Sequence, residues 1–185
     1  EPYTNCQPSP NPSYPQEIRN IGVYDEASGK YAVEVKVTKS NLCFKNVKGF
    51  VQPNGNYFQF GNSTESFIFK AYKGVEYVFG SDIEIDRRVI GYSDNIPDKN
   101  GFELLESEYL SSNTFVSKHD AYVTIYAYSS ANDTVKESFR VNVGKTLLPY
   151  EPYRESTTTV YLDEPLRKGD KVYWNGGSKV RVERY

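Results

Sequence analysis

The chain has 185 residues and a formal net charge of −2, so it carries no basic field with which to hold nucleic acid. Its apolar runs extend over only a few residues, too short for a membrane-spanning helix. Seventeen Tyr and ten Phe stand against one Trp, a composition suited to pleated sheets, and the length fits one β-sandwich with or without a small appendage.

The chain begins at Glu1 and contains no methionine. It reads as a processed mature protein or an excised segment, any secretory leader having been removed. Residues 1–17 hold Pro2, Pro8, Pro10, Pro12 and Pro15, which exclude helix and favour an extended arm. An arm of this kind gains order from its own domain, from a disulfide through Cys6, or from a neighbouring subunit. Its candidate contact residues are Pro8, Pro10, Pro12 and Tyr14. Cys6 and Cys43 are the only cysteines. In a secreted chain they would pair, contributing about 4 kcal/mol through loop entropy; two separate buried thiols are the alternative.

From residue 18 the pattern becomes strand-like. Residues 18–24 and 31–37 flank the turn-rich 25–29 and form a hairpin, with Tyr31, Val33, Val35 and Val37 on one face. The run 42–51 is interrupted by Gly49, and Pro53-Asn54-Gly55-Asn56 is a turn. Strands are expected at 57–60 and 66–72, separated by a loop at Gly61-Asn62-Ser63-Thr64, then at 75–79 and 82–90. Residues 93–101 form a polar loop, and 102–110 is either a short helix or a strand. Residues 145–156, with Pro149 and Pro152, cross or link. Strands follow at 158–162, 171–174 and 179–185, the last two joined as a hairpin by Asn175-Gly176-Gly177. The expected organisation is an arm at 1–17, a sandwich core at 18–145 and a terminal β segment at 146–185, within the same domain or as an appendage.

The stretch 121–143, AYVTIYAYSSANDTVKESFRVNV, has the clearest alternation. Ala121, Val123, Ile125 and Ala127 share one face; Tyr122, Thr124, Tyr126 and Tyr128 share the other. Beyond the polar loop 129–133, Val135, Phe139, Val141 and Val143 face inward, with Lys136, Ser138, Arg140 and Asn142 outward. Two such runs predict an antiparallel hairpin. The pattern, with Phe139, Val141 and Val143 as its ending, resembles the final hairpin of immunoglobulin-like and cadherin-like modules in prokaryotic surface proteins. That resemblance implies an extracellular structural or binding module and brings no catalytic residues. The plan of the whole chain is similar to donor-strand pilins and to archaeal cannula or thread proteins, in which an extended terminal segment completes a neighbour's sheet. The fold expected is an all-β, immunoglobulin-like or jelly-roll-type antiparallel β-sandwich with an extended N-terminal arm.

Little of the sequence points to catalysis or a cofactor. His119 is the only histidine; a Ser-His-Asp triad would have to use it, and no nucleophile elbow lies nearby. Asp82, Glu84 and Asp86 alternate, which on a strand would place three carboxylates on one face, solvated or sharing a cation, with Arg87 and Arg88 to neutralise them. Asp94, Asp98 and Asn100 add the oxygen donors that calcium prefers, without an EF-hand match. A structural calcium site and a plain Asx-rich turn are the two readings there. Asn62 and Asn132 head glycosylation sequons. The stripe Tyr122, Tyr126 and Tyr128 is either core or subunit packing or a surface for stacking sugar rings, and Trp174 is open to the same readings.

Two functions follow as expectations. One is a non-enzymatic extracellular subunit of a surface filament or adhesin, assembling with other copies of itself through β-strand addition of the arm. The other is a carbohydrate-binding module. Under the first, deletion of residues 1–16 leaves a soluble monomer and no polymer, which light scattering and electron microscopy read directly; unchanged filaments from the truncated chain would reject it.

Overall fold

The structure is a computed structural model and describes residues 16–18, 20–97, 102–129, 135–174 and 180–184. In chain order its elements are β1 (Gln16–Ile18), β2 (Val23–Asp25), β3 (Lys30–Thr38), β4 (Lys45–Gln52), β5 (Tyr57–Ala71), β6 (Glu76–Gly80), β7 (Arg87–Ser93), β8 (Phe102–Glu103), β9 (Glu106–Tyr109), β10 (Thr114–Val116), β11 (Ala121–Tyr128), α1 (Val135–Ser138), β12 (Arg140–Val143), β13 (Glu155–Leu162), β14 (Lys171–Trp174) and β15 (Val180–Glu183). The protein is all-β, and every strand pairing is antiparallel. Among the described residues no helix is long and apolar enough to cross a membrane.

The chain separates into two compact units, one from Glu1–Ser40 with Arg154–Tyr185 and one from Asn41–Tyr153. This corrects the expected division at residues 145 and 146. The cause is the ladder between β3 and β13, which runs from Thr38↔Glu155 to Tyr31↔Leu162 and ties the two ends of the chain into one sheet. Of the expected arm, residues 1–15 lie outside the described residues, and Gln16 and Glu17 belong to β1.

In the first unit β1 and β13 flank β3, and β2 pairs with β3 through the expected hairpin. Alternation along β3 buries Val33, Val35 and Val37, which pack with Ile18, Val160, Leu166 and Val172. The β14–β15 hairpin also forms as expected, while its turn lies outside the described residues. Asp170 is fully buried there and accepts from Arg184 Nη1 at 2.6 Å and from the Arg167 amide at 2.8 Å. A buried carboxylate needs such partners to stay charged.

The second unit holds a six-stranded sheet, β4-β5-β11-β7-β9 with β8 on β5, and a three-stranded sheet, β10-β6-β12. Both contribute to one core. Phe67, Phe69, Ile90, Tyr92, Val123 and Ile125 come from the first sheet, Tyr77, Phe79, Phe115 and Val141 from the second. Phe67 stacks on Phe139 at 3.7 Å between centroids. The aliphatic face read from β11 is this core face: Ala121, Val123 and Ile125 are all fully buried.

Several expectations are corrected. β11 and β12 do not form a hairpin: β5 and β7 occupy both edges of β11, and the helical turn α1 delivers β12 to β6 in the other sheet. The sequon loop at residues 61–64 is part of the continuous strand β5. There the register with β4 jumps from Lys48↔Glu65 to Gly49↔Phe60, so these four residues bulge from the ladder. Gly49 sits at that jump with φ 153°, and a Cβ there would meet Gln59 O at 2.5 Å. Residues 102–110 resolve as two short strands, β8 and β9, around the buried Leu104. Residues 82–86 precede β7 and are not a strand, although Ile85 still turns inward and the three carboxylates outward.

The outward face expected for Arg140 and Asn142 is also overturned, because both are buried. Residues 145–153 cross over β12. Arg140 Nε donates to Leu148 O at 2.7 Å, and Asn142 Oδ1 accepts from the Leu148 amide at 2.9 Å. Leu147 packs over Gly80, where a Cβ would meet Leu147 Cδ2 at 2.5 Å. Arg140 Nη1 donates to Ser138 O at 2.9 Å and to Asp82 Oδ1 at 2.8 Å. The Arg140 side chain is 10% exposed and that of Asp82 66%, so the packed carbonyls matter more than the ion pair. We expect Arg140→Ala to lower unfolding free energy by about 2–4 kcal/mol and Asp82→Asn by about 1 kcal/mol or less, measured by urea titration. Equal losses in the two variants would contradict this ranking.

Candidate functional site

The site with a defined shape lies on the six-stranded sheet, on the face away from the shared core. Strand register assembles it. Tyr126 on β11 is opposite Val89 on β7, and Val89 is opposite Tyr109 on β9; one step along, Tyr128 is opposite Arg87. Directly opposed residues project from the same face, so Tyr126, Val89 and Tyr109 form one row and Tyr128 and Arg87 the next. Beneath them, Val51, Phe58, Val89 and Leu104 make a separate apolar cluster against which Tyr126 packs. Leu104 reaches this position because Gly91 carries no side chain; a Cβ there would meet Leu104 Cδ1 at 2.5 Å.

A groove of about 320 Å³ opens over this row, with Phe50, Gln52, Asn54, Thr64, Arg87, Tyr109 and Tyr126 among its lining residues. That volume is at the lower end of the range for small-ligand pockets. Phe50 and Tyr126 meet at 6.0 Å between centroids, and Tyr128 lies 6.4 Å beyond Tyr126. Arg87 lies over the Tyr109 ring at 5.5 Å and its Nη2 donates to Tyr109 Oη at 2.9 Å. One wall is the turn between β4 and β5. Ser107 Oγ donates to Asn56 Oδ1 at 2.8 Å, and the Leu104 amide donates to Asn56 O at 2.7 Å, which fixes that turn against β9. Partial burial pushes the Tyr126 phenol up, and the charge of Arg87 pulls it partly back.

The tyrosine stripe read from the sequence is therefore divided. Tyr126 lines the groove with Tyr128 beside it. Tyr122 is a packing residue, with Phe44 edge-on at 6.2 Å and Lys70 Nζ 4.7 Å from its ring centre. Thr124 between them is fully buried. Trp174 ends β14 in the other unit, opposite Val180. Phe50, Arg87 and Tyr109 are further site residues, and no local motif marks them. Locally, Arg87 is a neighbour of carboxylates that it could neutralise, and the cross-strand register that carries it to Tyr109 is not readable from local pattern.

The carboxylates do not converge. Asp82 is held by Arg140, Glu84 and Asp86 are exposed ahead of β7, and Asp94 is exposed beyond its end. Asp98 and Asn100 lie outside the described residues, as do Cys6, Asn132, Pro8, Pro10, Pro12 and Tyr14. Among the described residues no group of three or more His, Cys, Asp or Glu is placed to hold a metal ion. Asn62 lies in the bulged part of β5. Cys43 donates to Lys45 O at 3.6 Å, and burial pushes its thiol up to about 12; a thiol so protonated is a poor nucleophile. His119 Nε2 lies 3.0 Å from Glu106 Oε2 and its ring meets Tyr92 edge-on at 5.0 Å.

On the opposite face of β9 from Tyr109, Glu106 and Glu108 both bind Lys118 Nζ, at 2.6 and 2.9 Å. Lys118, and then His119, hold the Glu106 carboxyl below its usual value of 4.5, while the two glutamates raise the Lys118 ammonium. The cluster thus stabilises the fold above pH 4.5 and weakens as pH falls through the lower folded value. On the alkaline side it weakens as pH rises through the raised folded value of Lys118. These side chains are 30–46% exposed, so solvent screening limits the effect to about 1 kcal/mol or less. Thermal melts of Lys118→Met are expected to fall below wild type between about pH 5 and 9 and to converge with it near pH 3; a gap that persists at pH 3 would assign the loss to packing.

Comparison of the chain with protein-family models, with curated proteins and with solved structures returns no match in any of the three.

Proposed function

We propose that the protein is a non-enzymatic, extracellular adhesin or surface-filament module of immunoglobulin-like or jelly-roll type, whose second unit binds glycan chains in the groove on its six-stranded sheet. The observation that carries this reading is the groove itself. Phe50, Tyr126 and Tyr109 supply ring faces, and Gln52, Asn54, Thr64 and Arg87 supply hydrogen-bonding groups around them. A pyranose has the matching surface, apolar C–H faces rimmed by hydroxyls, and stacks on aromatic rings in this arrangement. The sandwich type is supported by two antiparallel sheets that share one core.

A second reading, self-assembly by strand addition, is favoured by β13. Its residues 156–162 pair with β3 on one side and with no strand among the described residues on the other. An edge of this kind is a template for an added strand.

Glycan binding is tested by affinity electrophoresis through gels containing neutral and acidic polysaccharides. Tyr109→Ala, at a residue 54% exposed, and Tyr126→Ala are each expected to reduce retention about tenfold, with far-UV circular dichroism unchanged. Unaltered retention in both variants, or no retention of the wild type on any polysaccharide, would defeat the proposal.

A further inference from the structure

Charge in and around the groove is sorted by strand pleat. On β9 the alternation sends Ser107 and Tyr109 to the groove face and both acids, Glu106 and Glu108, to the other, where Lys118 binds them. Asp82, in the acidic run ahead of β7, is bound to Arg140. Glu65, next to Thr64, accepts from Asn46 Nδ2 at 2.9 Å and pairs with Lys136. Among the described residues that line the groove none is Asp or Glu, and the one cation is Arg87.

Among the described residues Arg87 is held in place with no carboxylate paired to it. Its guanidinium lies over Tyr109 and gives one hydrogen bond to that phenol. Of its five N–H donors, no others are engaged among the described residues. A planar fork with unused parallel donors matches an oxyanion in two-point contact, and a ring stacked beneath it limits the entropy lost on binding.

We infer that the groove selects anionic glycans, with the carboxylate or sulfate of an acidic pyranose bound by Arg87 while the ring stacks on the aromatic row. This inference rests on the groove being a glycan site, and the test separates the two. Titration calorimetry at low salt compares four probes: oligogalacturonate, its fully methyl-esterified form, dextran sulfate and neutral dextran. Methyl esterification leaves the ring and removes the charge. Wild type is expected to bind oligogalacturonate or dextran sulfate at least tenfold more tightly than the uncharged partner of each, the pair with the larger ratio identifying the anion.

Arg87→Gln is expected to remove that ratio while leaving residual binding, and Arg87→Lys to keep part of it. Tyr126→Ala is expected to weaken charged and uncharged probes alike, and Tyr109→Ala to weaken the charged ones further, because the Tyr109 ring and phenol hold Arg87. Arg87 is exposed, so its variants are expected to melt as wild type does. Equal binding of charged and uncharged probes by the wild type overturns the inference and leaves the glycan site standing. A charge preference that survives Arg87→Gln also overturns it. Binding of none of the probes, together with no retention on any polysaccharide gel, removes both readings.

Discussion

The hydrogen bonds made by the polar face of β12 hold the second unit together. Arg140 and Asn142 look outward from the strand and are nevertheless buried, because residues 145–153 lie across them and exchange main-chain bonds with their side chains. The other edge of β12 is capped by Asn41. Its Oδ1 accepts from the Val141 and Cys43 amides, and its Nδ2 donates to Glu151 O at 3.0 Å. Three segments distant in sequence are therefore joined at one strand by polar contacts that must all form together, since each buried group left unpaired costs about 1–3 kcal/mol. The core between the sheets supplies most of the apolar burial, while these bonds specify which strand goes where.

Much of this was legible locally and little of it at long range. The β2–β3 and β14–β15 hairpins, the turn at residues 53–56 and the buried face of β11 followed from turn residues and from alternation with period two. The partner of β12 did not, because alternation reports which face is covered and is silent about which strand lies alongside. The polar residues of β12 misled for a related reason: Arg and Asn opposite an apolar face usually meet water, and only the crossing segment makes them interior. At residues 61–64, glycine and three polar residues read as a loop, and the bulge they form is a loop in one ladder and a strand in the chain trace.

The groove shows the same limits. Tyr126 was visible as a member of an aromatic stripe, but the stripe itself does not survive as a unit, since Phe44 and Lys70 cover Tyr122. Tyr109 and Arg87 come from segments whose local pattern carries no sign of a shared site. They meet because β7 and β9 are neighbours in the sheet. The pleat that turns Glu106 and Glu108 toward Lys118 also leaves the aromatic side of β9 itself without an acid. The electrostatic character of each face of β9 is thus a property of alternation and is fixed once the register is fixed.

The ladder between β3 and β13 has a consequence for biogenesis. Thr38 and Glu155 sit side by side, with the Lys39 amide bonded to Arg154 O at 3.0 Å, so everything from residue 41 to 153 leaves and returns at nearly one point. Such a segment is a cassette: it completes its own sheets as soon as it is synthesised, and its close-set ends suit it to excision or transplantation. The sheet that flanks it has no such independence. The long ribbon of β3 must wait for β13, which is synthesised only after the whole of that cassette, and its exposure in the meantime is an aggregation-prone interval in the life of the molecule.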